Sequence, residues 1–180
     1  DEVDARQNNQ LQAWPWVQDT FSWIEPTAWC LTALKRLPSS ERGEAVGARV
    51  AQAEAVLENR MCVGGGWNYG NASALGQDLR AYVPTTAAGL MALHDRRGAP
   101  VVEQSLQRLV TDRLTEPGTP SLALTRIALA LHDRPADDVD ALLMERVEFS
   151  ERDGHLQAIA MALFALTVQA HRVEALRAVA

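Results

Sequence analysis

The string VPTTAAGLMALHDR, residues 83–96, closes on a pentapeptide, ALHDR, that returns verbatim at Ala130–Arg134 in TPSLALTRIALALHDR (119–134). A third segment of the same kind, EPTAWCLTALKRL, occupies 25–37, and a fourth, GHLQAIAMALFALTVQ (154–169), lacks the proline. In the first three, Pro26, Pro84 or Pro120 precedes a run rich in Ala and Leu. Proline suits the first turn of a helix, because its missing N–H would be unpaired there and its φ is already helical. The runs that follow are apolar on nearly every face, which predicts helices surrounded by protein.

Between these segments lie ARVAQAEAVLENRM (48–61), VVEQSLQRLVTDRL (101–114) and VDALLMERVEF (139–149). Val50, Ala53, Val56 and Leu57 recur at spacings of three and four, with Gln52, Glu54 and Glu58 opposite. Likewise Val102, Leu106, Leu109 and Val110 oppose Glu103, Gln107 and Arg108. This is the pattern of surface helices with one apolar face. No alternation of period two competes. The repeating unit is therefore a buried helix, a short turn and an amphipathic helix, four times over, in an all-α array with inner and outer layers. Residues 1–24 are expected to form an irregular, aromatic-rich segment in one domain with the repeats of 25–180. Pro15 argues against a regular helix in AWPWVQDTFSW (13–23), which could instead wrap the first hairpins as a lid or seal.

The array is interrupted by LENRMCVGGGWNYGN (57–71). Three glycines permit backbone conformations that other residues resist, while Asn68, Gly70 and Asn71 are turn formers. No Lys–Ser/Thr follows the glycines, so a phosphate cradle is not expected. An amphipathic helix that ends near Arg60 and passes through Gly65 to Trp67 resembles the repeat of terpenoid cyclases such as squalene–hopene cyclase. There a helix-end Gln leads into Gly-x-Trp, and the indole locks neighbouring hairpins; here Arg60 replaces the Gln. FSWIEPTAWCLTALKRL and YVPTTAAGLMALHDR are similar to inner helices of the same superfamily, which includes protein prenyltransferase β subunits. The resemblance covers about residues 14–135 and implies tandem hairpins forming part of an α/α toroid. A complete toroid needs about twice this chain, so the missing hairpins would come from another domain or subunit. The start at Asp1, without methionine, fits a piece of something longer.

The resemblance also directs attention to Glu25. Alkene-protonating cyclases use the middle Asp of an Asp-x-Asp-Asp motif at the start of an inner helix, and Glu25 stands at that middle position with both flanking carboxylates gone. Glu25 is the candidate catalytic acid, although protonating an alkene requires hydrogen-bonded neighbours that tune the acid. Trp16, Phe21, Trp23, Trp29 and Tyr82 are the candidate ligand-binding residues, since cyclase cavities use ring faces to stabilise positive charge. Arg60, Gly65 and Trp67 are read as structural. The prenyltransferase zinc loop has no counterpart, because 65–71 carries neither carboxylate nor thiol. No metal or cofactor is expected. The Asp137, Asp138 and Asp140 run reads as a helix first turn, where acids are favourable. His94 and His132 fall at equivalent helix ends and read as packing residues.

Composition sets the remaining bounds. Of 180 residues, 47% are hydrophobic and 22% charged, with a formal charge of −6 and no basic stripe. Nucleic-acid binding, which needs clustered Lys and Arg, is not expected. The longest apolar run, near Ala158–Leu166, is too short to cross a membrane. No signal-peptide pattern is visible. Cys30 and Cys62 fit no disulfide framework or zinc spacing, which favours free thiols and a cytoplasmic location. Lys35 is the sole lysine against abundant Arg and Ala, the mark of a GC-rich bacterial coding bias. All five Trp and both Tyr precede residue 83, placing any functional surface in the first half. Three functions follow. The first is a cyclase- or prenyltransferase-like module with an aromatic concavity for an apolar, isoprenoid-type ligand. The second is a non-catalytic helical scaffold for a protein or peptide. The third is an α/α-barrel carbohydrate enzyme, in which Asp19 would be the second carboxylate beside Glu25.

Overall fold

The computed structural model describes residues 7–167. Seven α-helices appear among them: α1 (Ile24–Lys35), α2 (Gly43–Asn59), α3 (Val83–Ala92), α4 (Pro100–Asp112), α5 (Thr119–Leu131), α6 (Asp137–Arg152) and α7 (Leu156–Thr167). The odd-numbered helices pack in sequence, α1 on α3, α3 on α5 and α5 on α7. The even ones cover them: α2 lies on α1, α4 on α3, and α6 on both α5 and α7. The chain is thus an all-α array of two layers. The end of the fourth apolar segment, beyond residue 167, and whatever would complete a fourth hairpin lie outside the described residues.

Burial follows the two kinds of sequence. Every residue of α3 except Pro84 is buried, as is every residue of α5 except Pro120 and Arg126. By contrast, α2 buries only Ala53, Val56 and Leu57, and α4 only Val101, Val102, Ser105, Leu106 and Leu109. Val110, expected on the apolar face of α4, is exposed instead. α7 departs from the expected buried helix: Ala158, Ala162 and Ala165 are buried while Leu156, Leu163 and Phe164 are exposed.

The glycine turn joins three helices through Trp67, which is fully buried. Its indole N–H donates to the Leu57 carbonyl in the last turn of α2 (2.7 Å). Its backbone N–H donates to Thr86 Oγ1 (3.0 Å), and its carbonyl accepts from Thr85 Oγ1 (2.6 Å) and the Tyr82 N–H (2.9 Å) at the start of α3. The Gly66 N–H donates to Ser105 Oγ of α4 (2.9 Å). Gly65, with φ +93, lies so close to α4 that a Cβ there would meet the Gln104 carbonyl oxygen at 2.4 Å. The ring itself seats on Gly89 of α3, where a Cβ would come within 2.6 Å of the indole.

At the opposite ends of the inner helices, charged groups tie one repeat to the next. Lys35 is buried, donates to the Ala92 carbonyl (3.0 Å), and pairs with Asp95 (2.5 Å) and Glu54 (2.6 Å). Arg97 repeats the device one step on, donating to the Leu131 carbonyl and pairing with Asp133 at 2.5 Å. The buried His132 reaches back from α5, with Nε2 3.0 Å from the Leu90 carbonyl. His94 makes a different contact, Nδ1 to the Met91 carbonyl at 2.8 Å. The aspartates of the two ALHDR copies therefore play matching parts, while His94 and His132 bond different carbonyls.

One element was not expected. Ser73–Ala74 (β1) and Gln77–Asp78 (β2) pair antiparallel around a two-residue turn. Leu75 and Gly76 both take positive φ, +52 and +74, as a type I′ turn requires. Such short strands lack the length over which alternation could be read.

Two outcomes test this packing. Gly89→Ala drives a methyl into the indole and is expected to destabilise the protein by about 1–3 kcal/mol. Gly47→Ala, on an exposed position of α2 with open space around it, is expected to stabilise by about 0.5–1 kcal/mol. Urea unfolding of the two variants checks both; equal effects would refute the seating of Trp67. The second outcome concerns acid. Burial pushes the His132 imidazole below its ordinary range, outweighing the opposing pull of the Leu90 carbonyl. The unfolded chain then takes up a proton at about pH 6.5 that the folded one refuses. This contribution to stability is complete above that pH and declines as pH falls through it. Melting temperature should drop from pH 7.5 to 5.5, and less steeply in His132→Gln; an unchanged slope would assign the drop elsewhere.

Candidate functional site

The same turn that anchors Trp67 delivers Tyr69 to the start of α1, where the Ile24 N–H donates to the Tyr69 carbonyl (2.9 Å). Here the N-terminal ends of all four inner helices open onto a groove of about 590 Å³. Each helix lines it with its second residue and the one four later: Glu25 and Trp29, Pro84 and Ala88, Pro120 and Leu124, Gln157 and Met161. Positions four apart share a helix face, so one stripe from each helix forms the wall. Tyr69 and Thr85 complete it.

Among the described residues, Glu25 is the only charged one lining this groove. It is half-buried in the first turn of α1 and makes no ion pair or side-chain hydrogen bond with the described residues. Its place is set by a shift of register. Aligned by their prolines, Glu25 would match Val83 and Thr119, both of which are buried. α1 begins at Ile24, however, so Glu25 takes the helix position held elsewhere by Pro84 and Pro120. One residue is a rotation of about 100°, enough to turn a side chain from core to groove.

A second cavity, about 500 Å³, adjoins through Tyr69 and is lined by Phe21, Trp23, Asn68, Leu79, Arg80 and Tyr82 among others. Its rings are held in pairs. Phe21 meets Trp23 edge-on at 5.7 Å, and Tyr69 lies against Tyr82 at 5.2 Å. Arg60 stacks its guanidinium 3.9 Å from the Phe21 ring and donates to the Ser22 carbonyl (2.5 Å). Burial pushes the Arg60 guanidinium down to about 10. Arg80 lies over Tyr82 at 4.8 Å and is itself largely exposed.

The candidate residues therefore divide. Glu25 and Trp29 meet in the groove, while Phe21, Trp23 and Tyr82 line the neighbouring cavity. Trp16, 60% exposed, lines neither. The segment before α1 is bound to α2 rather than laid over the groove: Arg49 covers the Trp14 ring at 4.4 Å and donates to the Ala13 carbonyl (3.1 Å). Asp19 lines a separate cavity with Arg60, so among the described residues no second carboxylate lines the groove with Glu25. Arg60, Gly65 and Trp67 lie in the helix junction and outside the groove lining. Tyr69, which lines both cavities, was missed by sequence reasoning: positions two apart in an extended stretch share a face, so its spacing from the buried Trp67 did not mark it as a wall residue.

Among the described residues no cluster of three His, Cys, Asp or Glu side chains could hold a metal ion. Cys30 and Cys62 are free, with burial raising both thiols above their ordinary range. No described helix is long and apolar enough to cross a membrane. No protein-family model matches the chain, and neither the curated proteins nor the solved structures contain a match to it.

The two tryptophans at the junction and in the groove should behave differently. Trp67→Ala is expected to cost about 3–5 kcal/mol, as for a large buried ring. Trp29→Ala, 39% exposed, should stay within about 1 kcal/mol. Denaturant titration decides; a large loss in Trp29→Ala would make that ring structural.

Proposed function

We propose that this chain is a helical-repeat module of the terpenoid-cyclase and prenyltransferase kind, part of an α/α toroid, whose concavity holds an apolar ligand of the isoprenoid class. The observation that supports this most directly is the groove across the ends of four successive inner helices. Its volume falls in the range of small-molecule sites. Trp29, Leu124, Met161, Pro84 and Pro120 offer an apolar wall, and no Lys or Arg among the described residues lines it. Neutral isoprenoids are accordingly better suited than their diphosphates. Pro84 and Pro120 strengthen the distinction, because proline presents a ring where a helix N-terminus would otherwise offer an N–H to an anion.

The proposal is one of binding. Glu25 is the acid positioned to meet a ligand, yet proton transfer to an alkene needs a hydrogen-bonded neighbour to tune it, and none accompanies it. The carbohydrate-enzyme reading loses support for a related reason: Asp19 and Glu25 line different cavities. The scaffold reading keeps one observation in its favour, the exposed Leu156, Leu163 and Phe164 of α7. Further hairpins of an array, or a partner protein, could cover that side.

Native mass spectrometry after incubation with farnesol, squalene and farnesyl diphosphate tests the reading. A farnesol or squalene adduct that survives in Trp16→Ala but is lost in Trp29→Ala and Tyr69→Ala is expected. Absence of any adduct, or equal retention in all variants, would remove the ligand-binding proposal and leave the scaffold.

A further inference from the structure

We infer that the groove takes a ligand whose apolar body ends in a cation, an organic ammonium group, with Glu25 as its counter-charge and the rings of Trp29 and Tyr69 as its walls. This rests on the reading of the groove as a ligand site, and adds the charge of the ligand. The described lining of the groove is otherwise uncharged and largely apolar, with Gln157, Thr85 and Tyr69 its other polar side chains, and a half-buried carboxylate in such a wall is unfavourable unless something compensates it. Among the described residues no protein cation does so, since Glu25 makes no ion pair with them and none of the Lys, Arg or His among them lines the groove.

The helix offers partial compensation, because an acid in the first turn meets the positive end of the macrodipole. That partial charge is about half a unit and is screened within the first turn, so it leaves room for a full positive charge. Trp29 stands one turn beyond Glu25 on the same face of α1, and Tyr69 is tied to the start of that helix by its carbonyl. Both rings are accessible, at 39% and 52% exposure. A carboxylate accompanied by aromatic faces is the chemistry that recognises alkylammonium groups. An anion finds the reverse: no basic side chain among the described residues, a negative charge, and prolines at Pro84 and Pro120 where two helix starts would otherwise offer an N–H.

The test compares two probes of one shape, 6-(trimethylammonio)hexan-1-ol and its neutral carbon isostere 7,7-dimethyloctan-1-ol, by isothermal titration calorimetry on the full chain. The cation is expected to bind about tenfold more tightly. In Glu25→Gln that preference should vanish while the neutral probe binds as before, and in Trp29→Ala both should weaken. Equal binding of the two probes to the parent chain would overturn the cation assignment but keep an apolar ligand site. A preference that persists in Glu25→Gln would overturn the role of Glu25 in the same way. Binding of neither probe would overturn the cation site, and the isoprenoid adduct experiment separately judges the groove. Circular dichroism of Glu25→Gln and Trp29→Ala confirms that the variants compared are folded.

Discussion

Two helices meet on one indole, and the glycines before it reach a third. Trp67 bonds the end of α2 through its ring N–H, seats its face on Gly89 of α3, and uses its own backbone to cap the start of α3 through Tyr82, Thr85 and Thr86. The preceding glycines let the chain pass close enough to α4 for Gly66 to bond Ser105. A tryptophan can satisfy this arrangement because it combines a large apolar surface with a single donor that must find a partner when buried. Glycine at 89 matters for the complementary reason: it is the absence of a Cβ in an otherwise crowded inner helix that admits the ring.

The junction also aims the surface that lines the groove. Within three residues the chain passes from Trp67 in the core to Tyr69 at the groove, and the Tyr69 carbonyl receives the first N–H of α1. The helix start that bears Glu25 is thus bonded to the loop that bears Tyr69. At the far ends of the inner helices, Lys35 joins α1 to α3 and Arg97 joins α3 to α5, each through a carbonyl and a carboxylate. The array is held at both ends by polar ties and along its length by small apolar side chains. The groove opens at the end where Pro84 and Pro120 replace donors and Glu25 stands without a partner among the described residues.

Much of the helical layout was legible in the sequence because burial imposes composition. α3 and α5 are enclosed on all sides, and their segments are apolar throughout. α2 and α4 bury one stripe, and their segments show it at spacings of three and four. The signal failed where the local environment was not the average one. α7 reads like α5 yet leaves Leu156, Leu163 and Phe164 exposed, since periodicity reports what a helix could bury and not what lies beside it. The hairpin at Ser73–Asp78 escaped because two residues per strand show no period.

The candidate site was legible in its residue types and not in its assembly. Sequence alone determined that the chain is an array of alternating buried and amphipathic helices, that aromatic residues concentrate in its first half, and that a lone carboxyl opens the first inner helix. Tertiary structure decided which of these residues share a cavity. It placed Glu25 with Trp29 in one groove, grouped Phe21, Trp23 and Tyr82 in another, set Tyr69 on the wall of both, and left Trp16 in solvent. The reason is geometric. Repetition specifies where helices begin to within a residue or so, but a shift of one residue rotates a side chain by about 100°, and only the contacts at the start of α1 settle whether Glu25 faces the core or the groove.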